Sequence, residues 1–278
     1  MNTTAAAGLT GELALTLAPR GTRTVAVGQR HAGTLQTLRP MYLDGSGQVT
    51  YHVVNPGGGC LRGDTYAIDI ELEAGASAVL TTQSATKVYR TPDAAATQHM
   101  RIRLGAGAVL EYVPDALILY REATYRQSCT VELDESATLV LAEIVTPGWS
   151  PDGARFRYDE LRMRTQIHRG GELLAVDNLL IEPGRADPSG IGFLDGRTHV
   201  GSLTVVDPRI DDALLDEVHA LTEAAATVRS GLTALAGPGF VLRCLGDDTA
   251  ELAGLFDEVI ALLRSRWTGQ APLHLRKY

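Results

Sequence analysis

The 278-residue sequence predicts a mainly β fold of stacked, solenoid-like sheets with a C-terminal helix-strand-helix layer. Two observations carry that prediction. Four segments share one form, an apolar strand, a short small or polar turn, and a second apolar strand: Ile70 to Leu80 around Gly75, Ile102 to Tyr112 around Gly107, Val131 to Leu141 around Ser136, and Ile167 to Ala175 around Gly170. Their turns recur roughly every 30 residues, a spacing common among stacked supersecondary units. An ordinary β-sandwich with evenly spaced hairpins is the competing arrangement. After residue 206 the apolar period changes from two to that of a helix, which divides a β-rich body, residues 1–206, from a layer packed on it, residues 207–278, within a single domain.

Taken in order, Met1 to Thr10 is small and polar and reads as a frayed tail before Leu13, without the basic region and apolar run of a secretory signal. LALTLAPRGTRTVAV then reads as strand, turn at Pro19-Arg20-Gly21, strand. In VVNPGGGCLRGDTYAID, Val53 to Asp69, four of the five residues Pro56 to Cys60 are Pro or Gly. No helix interior or central strand tolerates that, so the segment is a special turn. It does not read as a phosphate cradle: a Walker loop needs Lys and then Ser or Thr after its last Gly, and Asp64 stands there instead. Nor does it read as a dinucleotide fingerprint, since Thr65 to Leu72 alternates like a strand. Its plain reading is a tight connection that lets two backbones approach closely. The polar run TTQSATKVYR, Thr81 to Arg90, follows an apolar strand and reads as a solvated strand end.

Glu182 to Gly196 is rich in Gly, Pro and Asp and reads as an exposed loop, followed by a last body strand, Thr198 to Val206. Asp207-Pro208 suits an N-cap and N1 pair. Ile210, Leu214, Val218, Leu221 and Ala225 then recur at helical spacing, ending near Gly231. A short strand, Phe240 to Leu245, precedes a second helix from about Asp248 to Trp267, with Leu252, Leu255, Phe256, Val259 and Leu263 on one side.

A formal charge of −8 with scattered basic residues argues against a nucleic-acid or anionic-membrane surface. No stretch approaches the eighteen or so apolar residues of a membrane helix. Cys60, Cys129 and Cys244 lie far apart without CxxC, which disfavours a disulfide framework or zinc knuckle and suits a reducing cytosol. Cys60 reads either as an inert small residue or as a soft ligand in the turn. The seven histidines show no HxH, HxxxH or HExxH spacing, and no serine sits in GxSxG.

Period-two alternation puts Glu143 on one face with Leu139, Leu141 and Val145, and Asp177 on one face with Leu173, Ala175, Leu179 and Ile181. Aligning the turns places these two carboxylates at equivalent points of the third and fourth units. Each is set in an apolar row, which is costly unless the acid is paired, protonated or bound to a cation. Oxygen ligands of this kind hold a divalent ion loosely; pairing with a nearby Arg, or an exposed sheet edge, is the competing reading. Glu111 and Asp115, flanking Pro114 at the equivalent end of the second unit, join them as candidates.

NPGGG-x-x-x-GD, Gly75-Ala76, LTTQ-x-x-TKVYR, LEYVPD (Leu110 to Asp115) and YRQ (Tyr125 to Gln127), in this order, resemble the UreD (UreH) family of urease accessory proteins. The resemblance runs from about Gly11 to the C-terminal LRKY. It implies a β-rich, cytoplasmic protein that is not an enzyme. The partners it implies are urease apoprotein subunits, UreF and the GTPase UreG, with GTP hydrolysis residing in UreG. It implies no tightly bound cofactor but transient Ni²⁺, travelling through an internal channel towards urease. On this reading Glu143, Asp177, Glu111 and Asp115 are candidate channel carboxylates. Gln83, Lys87, Tyr89 and Arg90 are expected to hold the Gly-rich turn and Asp64 as a structural or partner-contacting corner. Two other readings remain at this point: a β-solenoid enzyme acting on carbohydrate with Glu143 and Asp177 as acid and base, disfavoured by 5% aromatic content, and a scaffold that never touches nickel.

Overall fold

A computed structural model describes residues 8–275. The expected tail and the last residues of LRKY thus fall largely outside the described residues. In chain order the strands of the first half are β1 (Gly11–Arg20), β2 (Arg23–Gly33), β3 (Gln36–Thr37), β4 (Val49–Val54), β5 (Thr65–Leu72), β6 (Ser77–Thr82), β7 (Thr86–Val88), β8 (Ala96–Leu104) and β9 (Val109–Tyr112). Then come β10 (Leu117–Leu119), β11 (Thr124–Leu133), β12 (Thr138–Val145), β13 (Glu160–Arg169), β14 (Glu172–Ile181) and β15 (His199–Val206). Helix α1 (Asp212–Ala224), β16 (Arg229–Ala234), β17 (Gly239–Gly246) and helix α2 (Thr249–Thr268) complete the chain.

Two sheets face each other. The first runs β14-β13-β11-β8-β5-β1-β2, and the main path of the second runs β16-β17-β15-β12-β9-β6-β4-β3. Three of the four sequence repeats are arches that carry the chain from one sheet to the other: β5 to β6, β8 to β9 and β11 to β12. Strands of successive arches pair in parallel, which gives the solenoid. Each arch closes with the N–H of a fully buried alanine, Ala76, Ala108 or Ala137, donating to the carbonyl of Glu73, Gly105 or Asp134 at 3.0, 3.0 and 3.1 Å. A larger side chain at these stacked corners would meet the next arch.

The fourth repeat behaves differently. Arg169 pairs with Glu172, leaving Gly170-Gly171 as a two-residue loop, so β14 returns antiparallel to β13 within the same sheet. Both glycines have positive φ, 59° and 88°, which a two-residue hairpin turn of the mirror-image type requires and which a lone Gly in a longer turn does not provide. Asp177 is therefore on an edge strand of the first sheet, while Glu143 is on the second. They are not equivalent members of one stack.

Parallel pairing at unchanged register stacks like on like. Leu15, Ile70, Ile102, Val131 and Ile167 form one inner row of the first sheet, each at most 2% exposed. Leu17, Leu72, Leu104 and Leu133 form the row nearest the arches. Rows like these exclude water and supply the main stabilisation, about 1.5–3 kcal/mol for each large aliphatic side chain buried.

The outer face of the second sheet is covered by the helices. Val140, Ala142, Ile144, Leu203, Val205, Phe240, Leu242 and Cys244 pack against Leu214 and Val218 of α1 and against Leu252, Leu255, Phe256, Val259, Ile260 and Leu263 of α2. A Cβ on Gly201 would come within 2.8 Å of the Phe256 ring, so glycine there lets α2 lie close to β15. The second helix begins where expected, with Asp248 as its N-cap. The first is capped by Asp211, whose side chain accepts from Leu214 N–H, and not by Asp207. Asp207 is fully buried and takes hydrogen bonds from Thr138 and Arg209. The expected helix also ends sooner: residues around Gly231 form strand β16, paired with β17.

Candidate functional site: two cavities between the sheets

At the end of the sheets away from the arches the inner rows change character. In the first sheet Tyr66, Gln98, Gln127 and Met163 stand in register, and in the second Glu143, Ser202 and Arg243 do so. Polar side chains keep this end from closing, and a cavity of about 120 Å³ lies between the sheets. Gly58, Gln83 and Ser84, all exposed, line it at the surface; Tyr112, Tyr125 and Glu143 line it inside. Glu143 and Met163 also line a second cavity of about 10 Å³, together with Asp177, Ser202 and Arg243. Glu143 is thus the carboxylate shared by the two neighbouring cavities.

Glu143 Oε1 accepts a hydrogen bond of 2.8 Å from Gln127 Nε2. Burial, and next the charge of Asp177, push the Glu143 carboxyl up to about 7, with Arg243 and Gln127 pulling it back. What surface it keeps is turned to the cavity. Across from it Asp177 Oδ1 accepts from Arg243 at 2.7 Å. The two carboxylates thus line one small cavity, but from opposite sheets and not as equivalent members of a stack, and Asp177 pairs with an arginine. Ser202 Oγ is buried with no hydrogen-bond partner.

Near the other end Asp115 lines the cavity and accepts from Thr82 Oγ1 at 3.2 Å. Glu111 does not belong with these. Leu110 and Tyr112 point inward, so Glu111 points outward, under α2, where both of its oxygens accept from Arg264 Nη1 at 2.7 and 2.8 Å. Gln48 adds a weaker contact at 3.4 Å. This is a clamp that fixes the helix to the sheet.

The Gly-rich turn forms one wall of the cavity. Cys60 bridges to β7 in parallel: its N–H donates to Lys87 O at 2.7 Å, and Tyr89 N–H donates to Cys60 O at 2.9 Å. A Cβ on Gly59 would sit 2.5 Å from Lys87 O and 2.7 Å from the Tyr89 ring, which is why the turn must be glycine at that point. Lys87 and Tyr89 meet the turn, chiefly through backbone. Gln83 lines the cavity, whereas Arg90 points to Glu122. Asp64 knots the turn from within, accepting from Leu61 N–H at 2.7 Å, Tyr66 OH at 2.8 Å and Thr10 Oγ1 at 3.0 Å. The Cys60 thiol is pushed up to about 12 by burial, then by Asp64, so it stands as the neutral thiol, a poor ligand.

Gln127 enters the sequence reading only as the end of the YRQ motif, and Ser202 and Arg243 carry no motif. A signal for Arg243 exists, a lone cation inside the apolar strand FVLRCL, but its place opposite Asp177 depends on β15 and β17 adding to the second sheet.

Among the described residues, no three His, Cys, Asp or Glu side chains are grouped as a metal site. Besides the Met163 thioether and the neutral Cys60 thiol, the possible donors lining the cavities are oxygens of carboxylate, hydroxyl and amide. Fold and site together define a two-sheet β-solenoid with two neighbouring cavities between its sheets, Glu143 lining both.

The sequence matches the UreD urease accessory protein family over residues 9–277. It is 56% identical to the urease accessory protein UreD of Arthrobacter sp. (strain FB24) over 275 residues, covering 96% of this chain and 94% of that one. It is 52% identical to UreD of Actinomyces naeslundii over 269 residues, covering 97% and 99%. UreD of Bacillus cereus (strain ATCC 10987 / NRS 248) is 32% identical over 269 residues, covering 97% and 98%. The chain belongs to the UreD family of urease accessory proteins, whose name places it in urease maturation in an accessory, non-catalytic role. Among the described residues no helix is long and apolar enough to cross a membrane.

Proposed function

We propose that this protein acts in the cytoplasm as a urease maturation chaperone that binds urease apoprotein subunits together with UreF and the GTPase UreG, and that Ni²⁺ passes through its polar passage during GTP-dependent insertion. The observation that carries this reading is the position of Glu143, which lines both cavities and is under-neutralised by its surroundings. A buried carboxylate in that condition is stabilised by an arriving cation. Glu143 and Asp177 would contact the ion at the inner end and Asp115 nearer the turn. An oxygen donor set holds nickel weakly compared with imidazole or thiolate, which suits transit. The Gly-rich turn, with Leu61 54% exposed beside it and Asp64 knotting it, is the corner offered to a partner.

The carbohydrate-enzyme reading has little to recommend it here. The passage is far smaller than the roughly 300–1,000 Å³ of typical organic-ligand pockets, and family membership points to urease.

Co-expression of urease subunits and the other accessory proteins with and without this chain tests the proposal, with urease activity and bound nickel as readouts. Loss of both when only this chain is omitted is expected. Full activity and nickel content without it would refute the maturation role.

A further inference from the structure

The inner end of the passage already contains a positive charge. Arg243 reaches Asp177 at 2.7 Å, and in strand register it stands one strand beyond Ser202, which is itself beside Glu143. Its side chain is 37% exposed and that of Asp177 28% exposed, so the guanidinium has room to move while its stem stays packed. Between Glu143 and Arg243 in the second sheet, Ser202, 5% exposed, has a buried hydroxyl without a hydrogen-bond partner and lines the small cavity.

We propose that Arg243 is a tethered counter-ion that stands in for the cargo cation between Glu143 and Asp177, and that an arriving divalent cation must displace it. This rests on the reading that such cations traverse the passage. Two carboxylates lining one small cavity, Glu143 buried and Asp177 partly exposed, call for compensating positive charge, and Arg243 supplies it. A divalent ion neutralises both carboxylates alone, and the guanidinium then becomes a surplus charge beside it, repelled by the ion at short range and able to swing towards solvent. The ion therefore binds against the return of Arg243, which lowers its affinity and speeds its release. Ser202 Oγ, an oxygen with free lone pairs, is placed to take the ion as the guanidinium leaves. Arg243 would then be a residue that sets retention time without being a ligand.

Ni²⁺ titrated into the full-length chain by isothermal calorimetry, beside the R243Q, R243K and E143Q variants, tests this. R243Q is expected to tighten Ni²⁺ binding tenfold or more and to slow its dissociation, and R243K, whose shorter ammonium grips Asp177 less well, to tighten it about threefold. R243Q should melt lower than the wild type without Ni²⁺ and recover more of its Tm on adding it. If R243Q does not fold even with Ni²⁺, R243K decides. Unchanged or weaker binding in every folded Arg243 variant overturns the counter-ion, provided that E143Q weakens the wild-type affinity. If E143Q leaves that affinity unchanged, the passage itself is not the cation's route, and both readings fall together.

Discussion

Glu111 on β9 and Glu143 on β12 stand on adjacent strands of one sheet, and both carboxyls are pushed up from the ordinary range chiefly by burial. Glu111 faces the helix layer, where Arg264, 4% exposed, holds both of its oxygens. Glu143 faces the space between the sheets, with one amide donor and a second carboxylate nearby. The first has a resident partner and acts as a clamp. The second is incompletely compensated, which is why the proposed role in cation transit rests on it. Burial alone does not tell these roles apart; the partners do.

The largest expected effect comes from breaking the clamp. Glu111→Gln leaves the buried Arg264 with Asp44, at 3.4 Å, as its remaining counter-charge and should cost up to about 3–5 kcal/mol in urea unfolding, whereas replacing both Glu111 and Arg264 with apolar residues of similar size should restore most of that. Next comes the dry part of the solenoid. Ile102→Ala, in the centre of a fully apolar row, should cost about 2–5 kcal/mol. Gln98→Ala, at the polar end of the same strand, should cost under about 1 kcal/mol, because there is already space beside it. Equal losses at the two positions would erase the distinction between a packed end and an open end.

Glu143 makes an opposite prediction in sign. Folding raises its carboxyl from 4.5 to about 7, so between those values the folded state binds more protons than the unfolded one. Stability from this group is fully present below pH 4.5 and falls as pH rises to about 7. Glu143→Gln should remove that slope and make the protein more stable than wild type at pH 8, by at most about 3 kcal/mol. A variant less stable than wild type at pH 8 would show that Glu143 is compensated in the folded protein after all. The smallest effect belongs to the corner. Arg90→Ala removes an exposed ion pair with Glu122 and should change stability by less than about 0.5 kcal/mol, while Tyr89→Ala, which unpacks the ring from Gly59 and from Tyr120 at 4.8 Å, should measurably speed amide exchange across Gly58 to Cys60.

Much of this was readable from local pattern. The arches at Gly75, Gly107 and Ser136 follow from repeated alternation around small turns, and Glu143 takes its inward direction from Leu139 and Leu141 by the period of two. The same parity, applied to Leu110 and Tyr112, already turns Glu111 away from the passage; grouping it by its place at the end of a unit obscured that. Gly170 looked like the other turns, but its neighbour Gly171 permits a hairpin, and one additional glycine moves Asp177 to the opposite sheet. Asp207 had the sequence of a cap and became a buried anchor, because Thr138 and Arg209 reach it only in the folded chain. Arg243 and Ser202 were out of reach for the same reason. Their meeting with Glu143 and Asp177 is fixed by strands that join the sheet after more than fifty intervening residues, and no local period records such a pairing.

The most direct measurement is the nickel content of urease matured in cells that carry the Glu143→Ala/Asp177→Ala double variant in place of the wild-type chain, with assembly of the accessory complex verified by co-purification. Glu111→Gln serves as a control for lost stability. Nickel content and urease activity should fall together in the double variant while the complex still forms. Full nickel content with an intact complex would mean that the ion never meets these carboxylates, leaving the protein as a scaffold that nickel bypasses.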